Sequence, residues 1–122
     1  MKVFLFLGAL NGFLAVALGA FGAHGLEGKL SQHELGIWEK AVQYQMFHAS
    51  ALLVTALVAA KVQAASITWA GWIFFIGIIL FSGSLYIYAT TKITAFAIIT
   101  PLGGVAFLIA WVLLGYSALK FI

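Results

Sequence analysis

Four uncharged stretches, each long enough to cross a bilayer, constrain this chain more than any other feature. Val3 to Phe21 is a nineteen-residue run whose one strongly polar member is Asn11. Ala41 to Ala60, Val62 to Thr91 and Ile93 to Leu119 also carry no charge. A spanning helix needs roughly 20 mainly apolar residues, so the chain has room for four. Composition agrees: 7% of the 122 residues are charged, against about 25% in soluble domains. A water-soluble fold with 65% hydrophobic residues and a mean hydropathy of +1.16 would expose much of that apolar surface. Hydrocarbon as solvent removes the conflict, because lipid-facing side chains can be as apolar as buried ones.

The expected fold is therefore an all-α integral membrane protein. It is a single transmembrane domain over residues 1–122, with four helices in a compact bundle. The spans read as about 3–21, 41–60, 66–88 and 101–119. A polar first loop occupies 22–31, and an amphipathic, interfacial stretch at 32–40 extends the second span. Lys2 before the first apolar run resembles a secretion signal, but the run is long for a signal core. It is read as a retained span.

Local chemistry marks the boundaries. Gly22, Gly25 and Gly28 argue for a turn after the first span. Ser31 and Glu34 form a Ser-x-x-Glu capping box, which starts a helix that meets no breaker before Ala60. At about 1.5 Å per residue that helix is roughly 44 Å long, more than a hydrocarbon core of about 30 Å. Its first turns should lie at the interface. Trp69 and Trp72 at one end of the third span, with Tyr86 and Tyr88 at the other, read as aromatic belts. Thr100 and Pro101 are expected to be the cap and first residue of the fourth helix.

Small residues recur where helices should meet. Gly8, Gly12, Gly19 and Gly22 line the first span at spacings of three or four, which lets a neighbouring backbone approach. Ser82 and Ser84 in the third span and Gly103 and Gly104 in the fourth are expected to face protein in the same way.

The six basic residues are all lysines and are dispersed: Lys2, Lys29, Lys40, Lys61, Lys92 and Lys120. A net charge of +3 in this arrangement suits an anionic membrane surface and not nucleic acid. Three lysines fall on each side of the membrane, so they cast no vote on orientation; the termini are assigned to the cytoplasm. Without cysteine, disulfide and thiolate chemistry are excluded.

Polar residues gather in the first half. Asn11 lies within span one, and His24 and Glu27 follow its end. Gln43, Tyr44, Gln45 and His48 lie early in span two. Tyr44 and His48 share a helix face, with Lys40 one turn earlier. Such groups are expensive in lipid and must find partners inside the protein. Antiparallel packing of the first two spans could bring His24, Glu27, Tyr44 and His48 together. Two histidines and a carboxylate could then hold a metal, two histidines a haem iron, or one histidine a proton. Interhelical hydrogen bonding asks least of them. No metal and no cofactor are expected; His24 and His48 are the ligands a metal would take. No hydrolase, phosphate-loop or triad motif is present, so no enzymatic activity is expected.

Four motifs in order resemble one family. They are Gly19-Ala20-Phe21-Gly22-Ala23-His24, the run Trp38 to His48, Leu80-Phe81-Ser82-Gly83-Ser84-Leu85-Tyr86, and Thr100-Pro101-Leu102-Gly103-Gly104 with Trp111. They are similar to the hallmarks of the domain-of-unknown-function 423 family, which in turn resembles transmembrane protein 256 of animals. The resemblance covers nearly the whole chain. It implies a four-helix protein of the bacterial inner (plasma) membrane. It singles out His24, Gln43, Tyr44 and His48 as characteristic residues and supplies no ligand or catalytic role for them.

Two functions fit these readings. One is a non-enzymatic membrane module that binds lipid, a small apolar ligand or a membrane protein partner, with a second copy of the chain among the partners its small-residue faces would accept. The other is a small transporter or channel-like protein that passes protons, ions or a solute by way of His24, Tyr44 and His48.

Overall fold

The structure, a computed structural model, describes all 122 residues. It contains helices and connecting turns only. Helix α1 covers Lys2–His24 and α2 covers Gln32–Lys61. Helix α3 (Ala65–Ile78) passes through a π turn at Ile79–Gly83 directly into α4 (Ser84–Thr91), and α5 covers Thr94–Phe121. Four segments are long and apolar enough to cross a membrane: α1, α2, the continuous Ala65–Thr91 segment, and α5. The exterior supports the same conclusion. Phe13 and Val112 are each 70% exposed and Leu119 is 92% exposed, with many other large apolar side chains around them. Water would not tolerate such a surface, and hydrocarbon does. The chain is an all-helical integral membrane protein.

Helix α1 packs on α2, and α5 packs on the third span; α2 and the third span join the two pairs. Because lipid is as apolar as the core, helix association rests on close fit and hydrogen bonds more than on hydrophobicity. The fit here places rings in glycine notches. A Cβ at Gly22 would overlap the Trp38 indole, one at Gly71 the Phe4 ring, and one at Gly77 the Phe107 ring. The main core contains Phe4, Leu52, Phe74, Phe107 and Ala110, and a smaller cluster at the first-loop end contains Leu26, Trp38 and Ala89.

The Ser31 cap forms in full. Ser31 Oγ accepts from the Glu34 amide at 3.1 Å, and Glu34 Oε1 accepts from the Ser31 amide at 2.9 Å. Lys92 Nζ stands 3.2 Å from Glu34 Oε2 and ties this interfacial turn to the link before α5. The Ser31 amide foremost, with Lys92, holds the Glu34 carboxyl below its usual range.

Three expectations need correction. Gly22 to His24 are helical, so the first turn starts at Gly25, with Gly28 at φ +81° within it. Pro101 lies inside α5, which starts at Thr94. Thr100 is therefore no cap; its hydroxyl bonds back to the Phe96 carbonyl at 3.3 Å. Pro101 removes one ladder bond, which transmembrane helices tolerate when neighbouring groups compensate. Tyr86 is no belt residue either: its ring packs edge-on against Trp38, with centroids 4.6 Å apart, inside the protein.

Candidate functional site

The polar residues of α2 divide between two faces. Gln45 points towards α1 and α4, where its amide nitrogen donates to Asn11 Oδ1 at 3.0 Å and its carbonyl accepts from the Tyr86 hydroxyl at 2.7 Å. Asn11 in turn donates to the Leu7 carbonyl at 2.8 Å. One turn nearer the loop, Ser82 of the π turn donates to the Ala41 carbonyl at 2.8 Å. The wider π turn re-aims Ser82 at α2 while Ser84 donates to the Phe81 carbonyl and pairs with Thr100 of α5 at 2.5 Å. Every buried side-chain nitrogen and oxygen has a partner. This face is satisfied and closed.

Tyr44 and His48 occupy the adjoining face, towards α5. His48 Nδ1 is 2.8 Å from the Tyr44 carbonyl, and Trp111 Nε1 donates to His48 Nε2 at 3.1 Å. A carbonyl can only accept and an indole N–H can only donate. The imidazole is thus a neutral ring with its proton on Nδ1. It stacks on Phe107, with centroids 3.5 Å apart and planes within 8°, and has Phe47, Phe74 and Trp111 around it. His48 is buried, at 3% exposure.

Between α2 and α5, above this ring, lies a groove of about 780 Å³ that opens sideways from the protein. Its walls are Gln43, Tyr44 and Phe47 on one side and Pro101, Gly104, Val105, Leu108 and Trp111 on the other. Phe81 and Phe107 form the floor with His48. Drug-sized and cofactor sites occupy about 300–1,000 Å³ and are mainly apolar with few polar groups. The groove exists because Gly104 offers no side chain to fill it. A Cβ there would come no closer than 4.0 Å to Phe81, whereas one at Gly103 would strike the Phe81 backbone.

The expected convergence of His24 and Glu27 with Tyr44 and His48 does not form. Antiparallel α1 and α2 do meet at that end, but through Gly19 against Val42, Gly22 against Trp38, and a Trp38 Nε1 bond to the Leu18 carbonyl of 2.9 Å. His24 and Glu27 are exposed beyond this contact. No three His, Asp or Glu side chains come together as a metal set. Of the small residues, Gly8 abuts Leu53 and the Ala49 carbonyl, and Gly19, Gly22 and Gly103 are also at close contacts, while Gly12 has nothing within 4 Å of a Cβ. Gly12 therefore faces open space, and Gly104 borders the groove, where a Cβ would just touch the Phe81 ring at 4.0 Å. Trp111, Tyr86, Phe81 and Phe107 were not singled out as site residues. Trp111 had a usable signal, because an indole N–H deep in a span needs an acceptor.

Comparisons with known proteins agree with the architecture. No solved structure matches the chain. The membrane protein YwdK of Bacillus subtilis is 54% identical over 123 residues, covering all of both chains. A membrane protein of Staphylococcus aureus, SAB0533, is 52% identical over 99% of this chain and 98% of its own length. Another from Staphylococcus epidermidis, SERP0230, is 54% identical over the same shares. All three carry the UPF0382 designation. The model of a family described as a protein of unknown function, DUF423, matches residues 18–104, and with these relatives it shows that the chain belongs to that family of bacterial membrane proteins.

Proposed function

We propose that this is a non-enzymatic membrane protein whose groove between α2 and α5 holds an apolar chain from the lipid phase. The observation that carries the reading is the groove itself: about 780 Å³, open sideways, walled by aromatic and aliphatic side chains and left empty of protein by Gly104. The one buried polar side chain on its floor, His48, has both nitrogens in hydrogen bonds and presents a ring face. An apolar chain loses nothing by lying there, and a hydrated ion would. Packing against preformed aromatic surface favours a single acyl chain over the loosely held lipid around the rest of the protein.

The transport reading has less support. It needed His24 beside Tyr44 and His48, and His24 is exposed away from them. The Asn11–Gln45–Tyr86 chain is internally satisfied and turns towards α1 and α4, away from the groove. Assignment to the bacterial plasma membrane, with both termini cytoplasmic, belongs to the same proposal.

Native mass spectrometry of gently solubilised protein tests the reading. The wild type is expected to retain about one lipid per chain. Gly104→Leu, which has room for its Cβ and projects its side chain into the groove, is expected to lose it. Equal retention by both proteins would overturn the reading.

A further inference from the structure

The groove has a polar end. Gln43 and Tyr44 line it on α2, next to Pro101 on α5. The Trp111 end lies deeper, because α2 and α5 run parallel from the first-loop side. Lys40 stands one helical turn before Tyr44 on the same face, with His48 a turn beyond. At about 1.5 Å per residue, Tyr44 and His48 lie roughly 6 Å and 12 Å below Lys40 along the helix. That puts Lys40 at the level where hydrocarbon gives way to headgroups, given a second span that starts at Ala41.

The charges around this rim are uneven. The one ion pair in the protein joins Lys92 to Glu34, so the Lys40 ammonium, which is exposed, has no carboxylate partner. The adjacent carboxylate, Glu39, lines a neighbouring cleft with Gly19, Gly22 and Trp38, and Gln43 borders both that cleft and the groove. The side chain of Gln43 and the hydroxyl of Tyr44 are also exposed and make no hydrogen bond within the chain. A cation at the boundary and two free hydrogen-bonding groups up to about 6 Å below it therefore crown an apolar groove.

We infer that the occupant is an anionic phospholipid, with one acyl chain in the groove and its phosphate at Lys40, Gln43 and Tyr44. This rests on the groove being a lipid site and adds which lipid it selects. Lysine stems lie along apolar surface and carry the ammonium to the interface, and phosphate oxygens accept from ammonium, amide and phenol alike. A zwitterionic choline lipid also offers a phosphate, but its own cation competes for that charge. One lysine near an anionic membrane surface contributes about a fivefold preference.

The test supplies equimolar phosphatidylglycerol and phosphatidylcholine with identical chains to the solubilised protein and reads the retained lipid by native mass spectrometry. The wild type is expected to retain phosphatidylglycerol about fivefold over phosphatidylcholine. Lys40→Gln should hold as much lipid in total with the preference gone, and Lys29→Gln, a lysine in the first loop on the same membrane side, should keep it. A preference that survives Lys40→Gln overturns the headgroup assignment and leaves the acyl-chain groove standing. Retention that is indifferent to both headgroup and Gly104→Leu removes the groove reading, and the inference with it.

Discussion

Trp111 Nε1 donates to His48 Nε2 across 3.1 Å, and this bond joins α5 to α2 at the deep end of the groove. With Nδ1 committed to the Tyr44 carbonyl, the imidazole has no free nitrogen. Binding a metal or accepting a proton through Nε2 would require the Trp111 bond to break. A structural tether of this kind has a measurable signature. His48→Leu strands the Trp111 N–H and Trp111→Phe strands Nε2, each at a cost of about 1–3 kcal/mol for the orphaned group. The double variant has neither orphan. In a thermal or denaturant titration in detergent, the two single losses are expected to exceed the double loss by about 1 kcal/mol. Strict additivity would mean that the bond contributes nothing.

The Asn11–Gln45–Tyr86 chain should show a graded response. Gln45→Leu leaves the Tyr86 hydroxyl and Asn11 Oδ1 without partners inside the protein. Tyr86→Phe leaves only Gln45 Oε1 short of one donor. Interhelical hydrogen bonds in membranes average about 0.6 kcal/mol and reach about 1.7. Tyr86→Phe should therefore cost about 0.6 kcal/mol and Gln45→Leu about twice that, read from the same titrations. A loss near zero for Tyr86→Phe would mean that Tyr86 acts mainly through its ring contact with Trp38, which phenylalanine keeps, and not through its hydroxyl.

Neighbouring glycines in α5 should behave oppositely. A Cβ at Gly103 meets the Phe81 backbone in the π turn, which cannot swing aside as a side chain does. Gly103→Ala is expected to destabilise by about 1–3 kcal/mol, as overpacking does. Gly104→Ala places its Cβ in ordinary contact at 4.0 Å and gains helix propensity, so its unfolding temperature should hold or rise. Equal effects at the two positions would contradict the placement of the groove.

What could be read from the residues alone depended on how local the physics was. The Ser31–Glu34 box is a four-residue event, and it formed as its spacing implies. The four long helices follow from what hydrocarbon demands of any spanning segment. The rotation of α2 about its axis was not legible. In a protein apolar inside and out, the pattern does not mark which face meets α1 and which meets α5, so Gln45 and His48 looked like parts of one cluster. The π turn leaves no compositional mark either, yet it sets the direction of Ser82. Pro101 was assigned by a rule that suits helix starts in water, where nothing compensates the lost bond. In the membrane it sits inside α5 and lines the groove.

Lys92 offers a test at the end of α4, where it takes φ 62°, ψ 19° as the left-handed cap. A side chain in that conformation costs roughly 1–2 kcal/mol, and glycine avoids it. Lys92 also pairs with Glu34 at 3.2 Å, but an exposed ion pair is worth about 0–1 kcal/mol. Lys92→Gly should therefore be neutral to stabilising by about 1 kcal/mol after the added chain entropy of glycine is counted. Lys92→Ala keeps the strain and loses the pair, so it should be slightly destabilising. The Glu34 carboxyl, held below its usual range, adds a pH signature. Its contribution to the cap is fully present above an ordinary glutamate value of about 4.3 and is lost as pH falls through the lower folded value. Hydrogen exchange in the first turn of α2 should accordingly quicken in acid for the wild type, beyond the intrinsic pH trend, and show little of that acid-specific change in Glu34→Gln. Both variants lose the ion pair, so if Lys92→Gly proved less stable than Lys92→Ala, the left-handed backbone at this position would carry no strain for glycine to relieve and the assignment of the cap would be reversed.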